Sequence, residues 1–279
     1  YPDHSTYSNF SLYNLHHLNW GRLKAEAGMR LNFYAASLTD TTIGTVRISP
    51  SAAVFQGGLN YQLLKPLFLY ANISDGFRAP NIDDLGTLGI VDFRYEIPAY
   101  DLKPERSVNT EIGLKIVTKK ISFSTALFKT NLYGLITRVA TGAAMNGYQV
   151  YKKINIDRGY IKGWETQFGY KLFKGLNIYG NATSLFGQSI TRNQPLRRIP
   201  PFNARLGGDF TTSQWTAGLT FDHASPQRRL DAGDKADNRI PAGGTPGFNL
   251  LNLYSGYQHK SLTFRLYLNN IFNTDFRTH

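Results

Sequence analysis

Apolar and polar residues alternate along most of the chain. In Leu262–Leu268 one face reads Leu262, Phe264, Leu266, Leu268 and the other Thr263, Arg265, Tyr267. In 202–210 the even positions are Phe202, Ala204, Leu206, Gly208 and Phe210, set against Asn203, Arg205, Gly207 and Asp209. The same period runs through 25–33, 55–63 and 164–172. A period of two is the signature of a strand with unlike faces. It predicts twelve strands, roughly at 7–19, 22–35, 51–63, 67–77, 105–117, 121–138, 157–172, 175–187, 202–211, 214–223, 248–258 and 262–272, and no helix of useful length. Short turns near 19–22, 64–66, 118–120, 173–175, 211–213 and 259–261 alternate with long segments at 36–50, 78–104, 139–156, 188–201 and 224–247. All short turns therefore fall at one end of a cylinder and all long loops at the other, as in an up-and-down membrane barrel.

A soluble sandwich also alternates. Many of the expected strands, however, are 10 to 14 residues long, against a common length of about 5–6. The polar face mixes Arg, Glu, Asn, Gln and Gly, which suits a wet lumen. A transmembrane strand needs about 9–11 residues, apolar outward and polar inward. Aromatics make up 14% of the 279 residues. Tyr160, Trp164, Tyr170, Trp215, Tyr254 and Tyr257 lie toward strand ends, as interfacial girdles would. The longest apolar run is Leu67 to Ala71, far short of the roughly 20 residues of a membrane helix.

The net charge is +12, from 31 Lys plus Arg against 19 Asp plus Glu. The cations are scattered, with doublets only at Lys119-Lys120, Lys152-Lys153, Arg197-Arg198 and Arg228-Arg229, and no binding motif accompanies them, so nucleic acid is not expected as a partner. There is no cysteine, which excludes disulfides and thiolate chemistry. Asp231, Asp234 and Asp237 lack the spacing of a calcium loop. His16 and His17 are adjacent and face opposite sides of a strand. No nucleophile elbow, phosphate loop or dinucleotide fingerprint occurs. The reading is of a non-enzyme with no resident metal and no cofactor. The start, Tyr1-Pro2-Asp3-His4, is unlike a signal peptide and reads as the middle of a longer precursor.

Five segments carry a family resemblance. Ser74-Asp75-Gly76-Phe77-Arg78-Ala79-Pro80-Asn81 resembles the "GFRAP" segment of TonB-dependent outer-membrane receptors. Leu102-Lys103-Pro104-Glu105, followed by Glu111, Gly113 and Lys115, is similar to their "LKPE" strand, and Gly163-Trp164-Glu165 to the "GxE" strand after it. Ile199-Pro200-Pro201 resembles their "IPP" strand start, and Asn270 to His279 their "NxFDxxYxxH" segment. The five occur in the family's order over nearly the whole chain. The resemblance implies an all-β, antiparallel up-and-down transmembrane barrel segment of about twelve strands. It further implies that residues 1–279 are the C-terminal part of a 22-stranded receptor barrel, with the plug domain, the early strands and the last strand lying elsewhere.

By the same resemblance, the whole receptor imports a scarce nutrient, most simply a small-molecule ferric chelate such as a ferric siderophore, with energy from the TonB complex. Its partners are then outer-membrane lipid, the plug and TonB, and its location the outer membrane of a Gram-negative bacterium. The long loops offer Arg78, Tyr95, Arg192, Arg197, Arg198 and Arg228 as ligand contacts, through charge and stacking. Arg30, Glu111, Glu165, Arg205 and Arg265 are expected to face the lumen and plug, because an Arg facing lipid at mid-membrane costs about 2–4 kcal/mol. The family's haem receptors carry a histidine after a "FRAP" box; Phe77-Arg78-Ala79-Pro80 is present, but 81–104 holds no histidine. A haem or other nutrient receptor, a self-contained twelve-stranded barrel (autotransporter translocator or porin-like) and a soluble β-rich binding module are the alternatives.

Overall fold

The computed structural model describes residues 5–40, 44–86, 88–91 and 94–278. Twelve long strands form its framework: β1 (Thr6–Trp20), β2 (Leu23–Asp40), β4 (Ser51–Leu64), β5 (Leu67–Arg78), β8 (Glu105–Val117), β9 (Ile121–Met145), β10 (Tyr148–Phe173), β11 (Leu176–Ser189), β13 (Asn203–Thr211), β14 (Trp215–Ala224), β15 (Phe248–His259) and β16 (Leu262–Leu268). Four short strands, β3 (Gly44–Ile48), β6 (Gly89–Val91), β7 (Arg94–Ile97) and β12 (Gln194–Pro195), and two short helices, α1 (Ile82–Gly86) and α2 (Ala232–Lys235), lie in the long connections. The twelve long strands pair in chain order as one sheet, each antiparallel to the next.

Three expectations change. Residues 139–156 are not a loop: β9 and β10 run on as one hairpin whose turn is Asn146-Gly147, both with positive φ (50° and 79°). Asn-Gly accommodates that conformation readily, and the pair is a strong hairpin signal. The last strand ends at Leu268, not 272. One parallel pairing exists among the described residues, between β7 and β10 at Val150, Tyr151 and Lys152; it lies in the loop region and leaves the up-and-down order intact.

The register sorts side chains into two faces across the whole sheet, because directly opposed residues share a face. Arg30 is opposite Tyr13, and Asn72 is opposite Glu111. Glu111 is opposite Phe128, which is opposite Gly163, two residues from Glu165. Arg205 is opposite Asp222, and Gly256 is opposite Arg265. Followed strand by strand, Arg30, Glu111, Glu165, Arg205 and Arg265 all fall on one face. The other face carries Leu12, Met29, Phe55, Leu59, Leu127, Phe168, Leu206, Leu219, Leu253 and Phe264, every one of them exposed.

Trp20 is 77% and Phe10 67% exposed, a pattern that opposes the hydrophobic effect in water and fits it in lipid. Tyr160, Tyr170, Trp215 and Tyr257 join this apolar face, with Trp164 between its two ends. Tyr254 does not: its hydroxyl donates to Asp209 at 2.8 Å on the polar face. Glycines lie opposite several rings. A Cβ on Gly113 would meet the Tyr70 ring at 2.5 Å, and one on Gly207 would meet the Tyr179 ring at 2.5 Å, so the rings lie flat across the neighbouring strand.

Candidate functional site

A hydrophobic cluster of buried residues lies at the long-loop end, where the upper part of β2 meets the 78–104 connection. Leu38, Leu85, Ala99 and Leu102 form it, with Val46, Ile48, Ile82 and Ile136 packed against it. The first turn of α1 is capped reciprocally: Asp84 N–H donates to Asn81 Oδ1 (2.7 Å) and Asn81 N–H to Asp84 Oδ2 (3.1 Å). The described residues of the 78–104 connection thus form a folded cap that shares its core with β2, β3 and β9.

Charges hold this cap to the long hairpin. Arg78 donates to Glu105 and to Asp84, each at 2.6 Å. Lys153 Nζ lies 3.0 Å from Asp83 and 3.4 Å from Glu96, and Arg138 lies 2.8 Å from Glu96, whose side chain is 1% exposed. A second clamp centres on Asp157, which is fully buried. It accepts from Arg192 (2.5 Å), Ser189 Oγ (3.0 Å) and Thr137 Oγ1 (3.2 Å). A third joins two loops: Arg197 reaches Asp234 (3.0 Å) and Asp237 (2.9 Å), Arg198 reaches Asp237 (2.6 Å), and Arg239 reaches Asp237 (2.8 Å). Hydrogen bonds and charge from Arg239, with Arg198 adding to them, hold the Asp237 carboxyl well below the usual carboxylate range. A hydrogen bond from Lys152 lowers the Asp101 carboxyl.

Of the loop residues expected to meet a ligand, Arg78, Arg192, Arg197 and Arg198 are engaged by carboxylates of this chain. Arg228 is exposed, and Tyr95 is half-buried on β7. Asp92 lies outside the described residues. Asp231, Asp234 and Asp237 do not converge on a cation: Asp231 caps α2 through the Asp234 N–H (2.6 Å), and the other two face arginines. Among the described residues, no group of three or more His, Cys, Asp or Glu is placed to hold a metal. Arg138, Lys153 and Asp157, which the sequence does not single out, lie on the β9–β10 hairpin, across the expected strand ends and loop; the Asn146-Gly147 turn is the local signal for it.

On the polar face below, Arg205 pairs with Asp222 at 2.5 Å and Asn252 donates to Asp222 at 3.3 Å. Arg30 donates to Ser11 Oγ at 2.7 Å. His17 lies 3.2 Å from Glu26, while His16, opposite Ala27, points to the other face. Open, polar-lined spaces of about 320 and 470 Å³ lie along this face, beside Glu165, Gln167 and Asn181 and beside His17, Glu26 and Asn60.

Three comparisons bear on what this arrangement belongs to. A 29% identical stretch of 194 residues, 62% of this chain and 19% of the relative, matches the probable hemoglobin and hemoglobin-haptoglobin-binding protein 4 of Haemophilus influenzae. A 25% identical stretch of 254 residues, 79% of this chain and 31% of the relative, matches the hemoglobin-haptoglobin utilization protein B of Neisseria meningitidis serogroup A. The chain thus spans less than a third of the length of these relatives. Among solved structures, the copper transporter OprC superposes with a TM-score of 0.82 over 99% of this chain and 43% of its own, at 17% identity, a likeness of fold. The model of the family described as "TonB dependent receptor-like, beta-barrel" matches residues 1–271, and the chain belongs to that family of outer-membrane β-barrel receptors.

Proposed function

We propose that this chain is the later part of the barrel of an outer-membrane receptor that imports an iron-bearing nutrient, with the plug and the TonB contact supplied by other parts of the same protein. The observation that carries the reading is the polarity of the sheet. One face is apolar and exposed, the other holds charges in hydrogen-bonded pairs, and folded caps stand at one end only. An apolar outward face suits lipid, a polar inward face suits a plug and water, and the capped end suits a ligand arriving from outside. The opposite end has turns too short to enclose one.

The substrate is read from two sides. The loop chemistry favours an anionic ferric chelate met by Arg228 and Tyr95, with the clamped arginines shaping the mouth around them. The sequence relatives in Haemophilus and Neisseria are haemoglobin- and haemoglobin-haptoglobin-binding or utilization proteins, and such a ligand would be met by the same caps as a protein surface. Binding to the intact receptor distinguishes them. Saturable binding of ferric siderophores that weakens in Arg228→Ala/Tyr95→Ala supports the first. Saturable binding of haemoglobin unaffected by those changes supports the second. A receptor that binds neither and takes up an iron-free nutrient refutes the iron reading and leaves the barrel standing.

A further inference from the structure

Lys129 and Lys162 stand directly opposite each other on β9 and β10. Both are on the apolar face, since Lys129 is opposite Thr110 and Lys162 is opposite Phe186, two residues from Trp164. Two like charges in direct opposition repel each other, and more so where water is scarce. Neither makes an ion pair among the described residues. The outward register from β8 to β11 holds no carboxylate to neutralise them: it reads Val108, Thr110, Ile112 on β8, Leu127, Asn131, Tyr133 on β9, Tyr160, Trp164 on β10 and Ser184, Phe186, Gln188 on β11. Aromatic faces hold the cations instead. Lys129 Nζ lies 5.3 Å from the Tyr160 ring and Lys162 Nζ 5.3 Å from the Phe186 ring. Arg229 descends from the 224–247 loop to sit 3.7 Å over Phe186, tied to Gln188 at 2.9 Å.

Height decides what could neutralise this group. Lys162 is eight residues up β10 from Tyr170 at the short-turn end. At about 3.3 Å per residue and a tilt of roughly 40°, that is about 20 Å of a band about 25 Å tall. The lysines thus lie level with Phe186 and just beneath Tyr160, and their stems can carry the ammonium groups up to the outer interface. Lys129, Lys162 and Phe186 form the upper row of an open groove of about 700 Å³ on this face, and Ile112, Leu127, Trp164 and Ser184 form the row beneath them. Charge above an apolar trough is the complement of a phosphate head above an acyl chain.

We propose that Lys129, Lys162 and Arg229 form a lipid-facing cradle for the phosphate of an outer-leaflet lipid whose acyl chain occupies the groove beneath. The inference rests on reading the apolar face as lipid-facing. The test uses the intact receptor in detergent, with native mass spectrometry counting bound lipid A, its dephosphorylated form and phosphatidylethanolamine, and with inorganic phosphate as competitor. Lipid A is expected to bind in preference to both other lipids, and millimolar inorganic phosphate should not displace it. Lys129→Gln/Lys162→Gln should weaken lipid A about 30-fold, roughly five-fold per lysine, while Lys129→Arg/Lys162→Arg retains it. Heat-modifiable migration on gels reports that each variant is a folded barrel. Equal retention of lipid A by the Gln variant and the wild type overturns the cradle, as does equal binding of the dephosphorylated lipid, or displacement by inorganic phosphate. Any of these in a barrel that still inserts would leave the receptor reading intact.

Discussion

Asp157→Ala is expected to release the 188–201 loop without disturbing the barrel beneath it. The carboxylate is fully buried and accepts three hydrogen bonds, from Arg192, Ser189 and Thr137. A charge-assisted bond contributes about 1.5–3 kcal/mol and each hydroxyl bond about 1 kcal/mol. The gross loss is therefore about 3–5 kcal/mol, the range found for breaking a buried pair. Arg192 is 36% exposed and can turn to water, so we place the cost near 3 kcal/mol, about a 150-fold rise in the local opening constant. Hydrogen exchange reads it directly, because Ile190 and Thr191 donate their N–H groups to the Arg158 carbonyl at 2.7 and 3.3 Å beside the clamp. Their protection should fall about 100-fold, that of β13 and β14 should not change, and Asp157→Asn should lose about half as much free energy because it keeps the shape and the hydroxyl contacts. Unchanged protection at Ile190 and Thr191 would refute the clamp. Loss spread over β13 and β14 would show that the loop and barrel are not separable units.

Gly113→Val should destabilise the sheet by about 1–3 kcal/mol through overpacking, since its Cβ would lie 2.5 Å from the Tyr70 ring and from the Thr125 carbonyl; Gly57→Ala, whose Cβ meets nothing nearer than 3.7 Å, should be nearly neutral, and thermal unfolding in detergent compares the two. Arg205→Ala, which breaks a half-exposed pair with Asp222, should cost no more than about 1 kcal/mol in the same assay. The Arg197–Arg198–Arg239 clamp should persist at pH 5: a carboxyl lowered on folding contributes stability that is complete above its unfolded value near 3.9 and is lost as pH falls through its lower folded value. Proteolysis of the 224–247 loop by an acid-tolerant protease should therefore be as slow at pH 5 as at pH 7 and accelerate only below about pH 4.

The framework was legible because a strand's faces are a local property. Alternation places all twelve long strands, most of them to within a few residues, and puts Arg205 and Leu206 on opposite faces without any knowledge of neighbours. The long connections were not legible, for two physical reasons. Their ion pairs join residues distant in the chain, as Arg197 does with Asp234 and Lys153 with Asp83, and nothing local marks which carboxylate an arginine will find. Four of the five arginines that looked available to a ligand, Arg78, Arg192, Arg197 and Arg198, are for this reason already engaged. The β9–β10 extension is different: Asn146-Gly147 is a local turn signal, and the weak alternation around Ala140–Ala144 obscured it. The Asn81-x-x-Asp84 capping pair was likewise visible as a helix start, but α1 has only five residues, too few for a periodic pattern.

In the proposed membrane barrel the apolar face meets lipid and the polar face meets water. The absence of cysteine allows a direct measurement with single introduced thiols in proteoliposomes. Leu219 and Thr220 are consecutive on β14, Leu219 opposite Leu253 on the apolar face and Thr220 opposite Asn252 on the polar one. Leu219→Cys should react with a membrane-partitioning maleimide and resist a charged, water-soluble one. Thr220→Cys should show the reverse preference. Equal labelling of both positions by the water-soluble reagent, or the two preferences exchanged, would contradict the membrane barrel.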